Sequence, residues 1–155
     1  MGFDTPAGTR GARQPRAGLM QRWVNQMAEG RIRRTGKMIG LDFNALVLTT
    51  VGARSGAQRT NPVGWFPGPE GSWLIVASAA GAARNPAWYH NFAAHPDQVK
   101  FELNGRTIPV AAEQLHGGER DQAWLQITAA APRFAKYQRK TDRELPIIRL
   151  TSRAG

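Results

Sequence analysis

Between Gly52 and Arg59 the chain reads GARSGAQR, a glycine-flanked turn bracketed by two cations. Gly52 and Gly56 permit tight backbone geometry that exposes amide N–H groups. Ser55 adds a hydroxyl donor, and Arg54 and Arg59 add charge. Convergent donors plus charge are what a phosphate or a carboxylate needs. The same residues also suit an ordinary β-turn with solvated arginines, so both readings stand. A second group runs from Ala77 to Asn91, ASAAGAARNPAWYHN. Small residues at the end of an apolar stretch let a flat ligand approach the backbone, and Trp88 can wall such a slot. On spacing alone, Trp88 and Phe92, four apart, read better as one buried helical face. The third group is Phe134 and Tyr137 beside Arg139-Lys140. A tyrosine hydroxyl can donate a proton or orient a carbonyl, or it can cap a core with the hydroxyl wet.

Other chemistries lack their residues. His90, His95 and His116 have no ligand spacing, no H-E-x-x-H occurs, and there is no cysteine, so no metal site is expected. No serine stands in a G-x-S-x-G elbow, and no paired carboxylates point to glycoside chemistry.

The elements that must position these groups follow from periodicity. Leu19, Trp23 and Met27 recur every four residues, as do Met20, Val24 and Ala28, which marks one helical face. Gly30 is expected to end or weaken that helix, with a second short turn reaching Ile39. Leu46 to Val51 is apolar and β-branched, Asn61 to Phe66 is extended after the turn, and Pro67 to Gly71 is a loop. Trp73 to Ser78 reads as a third strand. Pro86 sits where a first helical turn tolerates proline, before Ala87 to Ala94. Gln98 to Leu103 and Arg106 to Ala112 flank Asn104-Gly105, the preferred two-residue hairpin turn. Gly118 to Gln126 opens a helix that Pro132 interrupts or restarts, with Phe134 and Tyr137 on one face. Leu145 to Leu150 closes as a strand. Antiparallel neighbours joined by short turns predict a small barrel with helices at its ends, an α+β fold. With no βαβ alternation and no G-x-G-x-x-G, a Rossmann fold is not expected.

At 155 residues and 41% hydrophobic, the chain has one domain's worth of core. The net charge of +10 calls for an anionic partner, whether nucleic acid, membrane or polyanionic ligand. Arg10, Arg13, Arg16, Arg22, Arg31, Arg33, Arg34 and Lys37 crowd the first quarter; a solubilising tail is the plain reading of such a run. The organisation expected is a disordered basic arm over 1–16, an N-terminal helix over 17–40 and the barrel over 41–155. No apolar run approaches the span of a bilayer and no signal peptide shows. A cytoplasmic location is expected, with peripheral contact to the inner membrane face through the N-terminus as a further reading. Against it stands the reading that the apolar face of the first helix packs over the barrel. Residues 1 to about 40 are expected to be dispensable for the chemistry.

Taken together, LTTVGARSGAQRTNP (48–62), NPAWYHN (85–91) and TDRELPI (141–147) resemble the deazaflavin-dependent nitroreductase and quinone reductase family of actinobacteria. Each piece alone is weak; their order and spacing are specific, and the likeness covers Leu46 to Leu150. The resemblance implies a split β-barrel that binds coenzyme F420, a flat tricyclic ring carrying a phosphate and an oligoglutamate tail. It implies that Ala53, Arg54, Ser55 and Gly56 meet the phosphate and tail. Arg59, Thr60, Asn61, Pro62, Val63 and Gly64 would continue toward the ring, and Val76, Ala77, Ser78 and Ala79 would line its edge. Ala87, Trp88, Tyr89, His90 and Asn91 would complete the pocket. Tyr137 is then the proton donor or substrate orienter, with Ser78 and Trp88 positioning. The acceptor expected is a hydrophobic quinone, enone or nitroaromatic, and the chain is a monomer or a homodimer. The family often has two basic residues where this chain has Ala53-Arg54, and Lys-Gly-Gly where it has Ala79-Ala80-Gly81. The family includes an enzyme that activates bicyclic nitroimidazole prodrugs, with an aromatic near the position of Gly64 and several tyrosines in the late helix; here Gly64 is bare, and Ala131 and Phe134 replace tyrosines. Efficient nitroimidazole activation is therefore not carried over. Two rivals remain: a split barrel that uses FMN, and a basic nucleic-acid-binding module, which the Arg-rich arm without interleaved aromatics does not favour.

Overall fold

The computed structural model describes residues 2–12, 19–36 and 44–153, and in the first helix the side chains from Gln26 onward. Its helices are α1 (Leu19–Thr35), α2 (Ala87–Ala94), α3 (Gly117–Ala130) and α4 (Arg133–Lys140). Its strands are β1 (Ala45–Val51), β2 (Gln58–Gly64), β3 (Phe66–Pro67), β4 (Trp73–Val76), β5 (Val99–Leu103), β6 (Arg106–Gln114) and β7 (Ile147–Ser152). All neighbours pair antiparallel in the order β2-β1-β5-β6-β7-β4-β3. That order sets β2 and β3 at opposite edges, yet only Trp65 separates them along the chain. One residue spans at most about 3.6 Å, so the sheet must curl until its edges come together. The fold is thus the α+β split β-barrel with flanking helices that the sequence implies.

Successive side chains of a strand face opposite ways, and here both faces are covered. Leu46 and Leu48 enter the barrel core with Ile75, Phe92, Phe101, Val110, Ile148 and Leu150. Ala45 and Val47, on the other face of β1, pack under Ile32 of α1. Leu74, Val76 and Ile147 meet Ile127 and Phe134 from α3 and α4. Two covered faces explain why these strands read as continuous apolar runs rather than as alternation. By contrast β2, QRTNPVG, exposes its first three residues. The β5–β6 hairpin turns on Asn104 (φ 52°) and Gly105 (φ 78°), the paired left-handed residues that its sequence demands.

Several boundaries differ from the sequence reading. Gly30 does not end α1, which continues to Thr35, because Ile32 is fully buried beneath it. That burial outweighs the roughly 1 kcal/mol cost of a helical glycine. It makes the second half of α1 part of the core and argues against dispensability of the first forty residues. The short turn expected to reach Ile39 lies outside the described residues. β4 stops at Val76 rather than Ser78, since the Ala77 N–H bonds Pro146 O and the Ala77 and Ser78 carbonyls accept from Arg143. β2 begins at Gln58, α3 runs on to Ala130, and β6 to Gln114.

The N-terminal segment also differs from the free arm expected. Residues 2–12 run along the barrel. Thr5 takes part in bonds with the Tyr89 hydroxyl, Asn85 Nδ2 and Gln114 Nε2. Gly8 and Ala12 N–H groups bond Ala83 O and Gly81 O, and Phe3 stacks edge-on against Tyr89. Residues 13–16 lie outside the described residues. On α1, Met27 is 58% exposed and shares a face with exposed Arg31 and Arg34. The side chains of Leu19 and Trp23 are outside the description.

Candidate functional site

The β1–β2 connection begins at buried Gly52, whose N–H bonds Ala57 O at 2.7 Å. Gly56 closes the turn with φ +71° and donates to Gly52 O at 3.0 Å. A side chain at 52 would meet Ser55 Oγ at 2.6 Å, so the hydroxyl would have to swing away from the Ala57 N–H. The Ser55 hydroxyl accepts the Ala57 N–H at 3.1 Å. Asn91 pins this turn to α2. Its Oδ1 accepts the Ala53 N–H at 3.0 Å, and its Nδ2 donates to Thr50 Oγ1 at 2.9 Å.

Between the turn and α2 lies an open cleft of about 860 Å³ lined by Gly52, Ala53, Arg54, Ser55, Arg59, Thr60, Asn61, Ala87, His90 and Asn91. Arg54 and Arg59 are exposed and meet no carboxylate among the described residues. Thr60, at the cleft wall, gives its hydroxyl to Glu29 of α1, with Oε1 at 3.0 Å and Oε2 at 3.1 Å. Glu29 is itself buried, and Arg33 bridges it at 3.8 Å to Glu102 at 2.7 Å. The helix therefore reaches the cleft through one carboxylate that no sequence signal marks, since it stands alone among arginines.

Nine of the residues named from sequence as coenzyme contacts come together in this cleft: Ala53, Arg54, Ser55, Arg59, Thr60, Asn61, Ala87, His90 and Asn91. The others stand outside its lining. Gly56, Pro62, Val63 and Gly64 lie on the turn and strand beside it, and Val76 and Ala77 are buried in the core. Trp88 packs in the barrel core, edge-on to Phe92 at 5.3 Å. Tyr89 is buried; its hydroxyl donates to Gln114 Oε1 at 2.6 Å and accepts the Thr5 N–H at 3.0 Å. Ser78 and Ala79 belong to the following loop, where Ser78 O accepts from Arg143 Nη2 at 2.8 Å. Tyr137, half-buried on α4, faces Phe134 at 5.8 Å and lies under Lys140 Nζ at 5.8 Å. Its backbone packs against the turn at Gly81.

Arg143 is the residue for which sequence reasoning had no role. It is 2% exposed and bonds to Ala77 O, Ser78 O, Ala82 O and Asn85 Oδ1. Burial pushes its guanidinium below the ordinary arginine range, with Tyr89 opposing. Beside it, Asp142 takes the Thr9 hydroxyl at 2.5 Å and the Thr9 N–H at 2.8 Å, and those bonds lower its carboxyl to about 2.

Exposed arginines, a glycine-shaped turn and a serine hydroxyl around one cleft suit a ligand that bears phosphate or carboxylate groups. The family model for F420H2-dependent quinone reductases matches residues 21–152. The chain belongs to that family. An F420H2-dependent quinone reductase of Mycobacterium tuberculosis is 36% identical over 112 residues, which span 70% of this chain and 74% of the relative. Among solved structures, an F420H2-dependent reductase is 34% identical at a TM-score of 0.61, over 69% of this chain and 93% of that one. Another, described as a domain-swapped dimer, is 33% identical at a TM-score of 0.63, over 85% and 99%. This protein is therefore an oxidoreductase of the F420H2-dependent quinone reductase family, and coenzyme F420 is its cofactor. The cleft's donors fit that cofactor's phosphate and glutamate carboxylates in kind.

Proposed function

We propose that coenzyme F420 occupies the cleft between the β1–β2 turn and α2, that Arg54, Ser55 and Arg59 hold its anionic groups, and that its ring lies toward residues 76–79. The observation that carries this reading is the pair of exposed arginines, without acidic partners among the described residues, on the turn lining an 860 Å³ cleft. An anion brought to them displaces no internal ion pair, so the only cost set against its charge-assisted bonds is the water they replace.

When bound, the deazaflavin supplies hydride transfer from its C5 position to an organic acceptor, and the chain supplies position and exclusion of water. Asn91 keeps the anion-holding turn at a fixed distance from α2. Ser78, Ala79 and Ala80, the accessible residues of the loop after β4, are small enough for a flat ring to approach the backbone. Trp88 stiffens the slot from within the core, and Ser78 sits at its rim. Tyr137 serves the acceptor side, donating to or orienting a carbonyl oxygen that gains a proton. Enones and nitroaromatics present similar oxygen acceptors and are proposed as further substrates beside quinones.

Fluorescence titration tests the cofactor site: F420 is expected to bind at micromolar affinity or better, and FMN much more weakly. Equal or tighter FMN binding overturns the site's preference for the deazaflavin. Oxidation of reduced F420 with menaquinone, an enone and a nitroaromatic tests the acceptor; no oxidation by any quinone refutes it.

A second reading concerns location. Met27, Arg31 and Arg34 form an exposed apolar and basic stripe on α1, and we propose that it brings the enzyme to the anionic inner face of the membrane, where lipophilic quinones reside. Each basic residue near such a surface contributes about 1 kcal/mol. Co-sedimentation with anionic vesicles checks this, and Arg31→Glu with Arg34→Glu is expected to abolish it. Wild-type protein that ignores the vesicles at moderate salt defeats the idea.

A further inference from the structure

We propose that Arg143 is a positioning residue that holds the loop 77–85 in the shape the coenzyme ring requires. The inference rests on the reading above that the ring lies against residues 76–79. Among the described residues, every guanidinium hydrogen bond ends on this loop. Nε reaches Ala82 O at 3.1 Å, and Nη1 reaches Ala77 O at 2.9 Å and Asn85 Oδ1 at 2.7 Å. Nη2 reaches Ser78 O at 2.8 Å and Ala82 O at 3.0 Å. One planar fork thus fixes both ends of the loop and its middle.

The loop has reason to need fixing. Ala79 (φ 47°), Ala80 (φ 54°) and Gly81 (φ 84°) are three consecutive left-handed residues, and only the last is glycine. L-residues with a Cβ adopt that conformation at a cost, so the loop would relax if released. Ala80 is exposed, and no side-chain burial holds it there. Gly81 in turn packs against the backbone of Tyr137. The clasp therefore also sets the spacing between the ring slot and α4.

The charge balance supports a shaping role over a stabilising one. Both acidic neighbours face elsewhere: Asp142 bonds Thr9, and Glu144 pairs with Arg120 at 3.2 Å. A buried cation held by carbonyl dipoles alone is a poor way to gain stability, because apolar packing of similar volume does as well or better. What apolar packing cannot do is grip four oxygens in a fixed plane.

Three readouts test the proposal on Arg143→Lys, which keeps the charge and loses the fork, alone and with Ala80→Gly, which takes the left-handed conformation freely. Tryptic nicking after exposed Arg84, read by mass without coenzyme, reports the loop. F420 titration reports the site, and circular dichroism reports the fold. Arg143→Lys is expected to stay folded, to be nicked about tenfold faster and to bind F420 about tenfold more weakly. Adding Ala80→Gly is expected to recover much of the binding, which a core-filling arginine would not predict. Unchanged nicking, or no recovery by Ala80→Gly, overturns the proposal. Should Arg143→Lys not fold, Asn85→Ala, which removes one of the four acceptors and also the Asn85 Nδ2 bond to Thr5 O, must show the same pair of effects while Thr5→Gly, which keeps that carbonyl, must not, and any other result overturns it too. Wild-type protein that fails to bind F420 defeats the reading of the site, a failure that the coenzyme-free nicking result distinguishes from failure of the clasp.

Discussion

Asn91 joins two elements through one amide, and replacing it separates the turn's position from its charge. Its side chain is 7% exposed, accepting from Ala53 N–H at 3.0 Å and donating to Thr50 Oγ1 at 2.9 Å. In Asn91→Ala, exposed Ala53 turns to water, and the first bond costs about 1 kcal/mol net. Thr50 is 1% exposed and stays dry, so the lost donor costs its hydroxyl about 1–3 kcal/mol. The sum, about 2–4 kcal/mol, is a large fraction of a typical domain's stability. In a chain of this size it lowers Tm by about 4–16 °C. The freed turn must also be ordered again on binding, at about 1–2 kcal/mol, so F420 affinity falls about 5- to 30-fold. Asn91→Asp behaves differently. Its carboxylate still accepts from Ala53 N–H and can accept the Thr50 hydroxyl, so the strut persists, although burying the charge lowers stability. It adds a negative charge to the cleft that Arg54 and Arg59 line, and it weakens an anionic coenzyme more than alanine does. Urea denaturation and fluorescence titration of both variants read the two effects separately. An alanine variant with wild-type midpoint and affinity would refute the strut. An aspartate variant that binds F420 as well as wild type would refute the anion site.

Arg54→Ala and Arg59→Ala are each expected to raise the F420 dissociation constant about 10- to 100-fold, the worth of one charge-assisted contact. Their melting temperatures should hold, since both side chains are exposed; normal titration curves for both would reduce the turn to a turn. Ile32→Ala, at a fully buried site under β1, is expected to cost about 2–5 kcal/mol in urea, and a loss below that range would detach α1 from the core. Tyr137→Phe should lower turnover, by about 10²-fold or more if the hydroxyl is the general acid, while F420 affinity stays put; unchanged rates with several quinones would make it a packing residue. The Asp142 carboxyl titrates at about 2 instead of its ordinary 3.8. A depressed acid stabilises the fold above its unfolded pKa and loses that contribution as pH falls through the folded value. The Thr9 amide resonance should therefore move near pH 2, and a midpoint near 4 would break the link between residues 2–12 and Asp142.

What is legible in this sequence is what is local. Asn104-Gly105 specifies its hairpin because both residues accept positive φ. Leu46 to Val51 reads as a strand because a helix on one side and the barrel on the other leave no polar face. The turn 52–59 stands out because its glycines, serine and arginines sit within eight positions, and the structure sets Gly52, Arg54, Ser55 and Arg59 around one cleft. Helical spacing in 87–91 does less well. It marks the inward stripe, Trp88 and Phe92, which the structure buries, but it does not separate Ala87, His90 and buried Asn91, which line the cleft, from buried Tyr89, which does not. Polar contacts over long separations leave no local trace at all. Arg143 sits in a charged stretch and reads like its solvated neighbours, because its acceptors are 58 to 66 positions away. Glu29 reads as a lone surface acid, because Thr60 is 31 positions on. Residues 2–12 have the composition of a disordered arm, because Tyr89, Gln114 and Asp142 supply their partners from 84 to 133 positions away. The division has a physical cause. A ligand's anionic end can be met by one short turn, whereas holding that turn and the neighbouring slot in register requires groups from both ends of the chain. In this reductase the residues that line the cleft are thus grouped and visible, and those that hold the turn and the loop after β4, such as Asn91 and Arg143, are polar, buried and far apart in the chain.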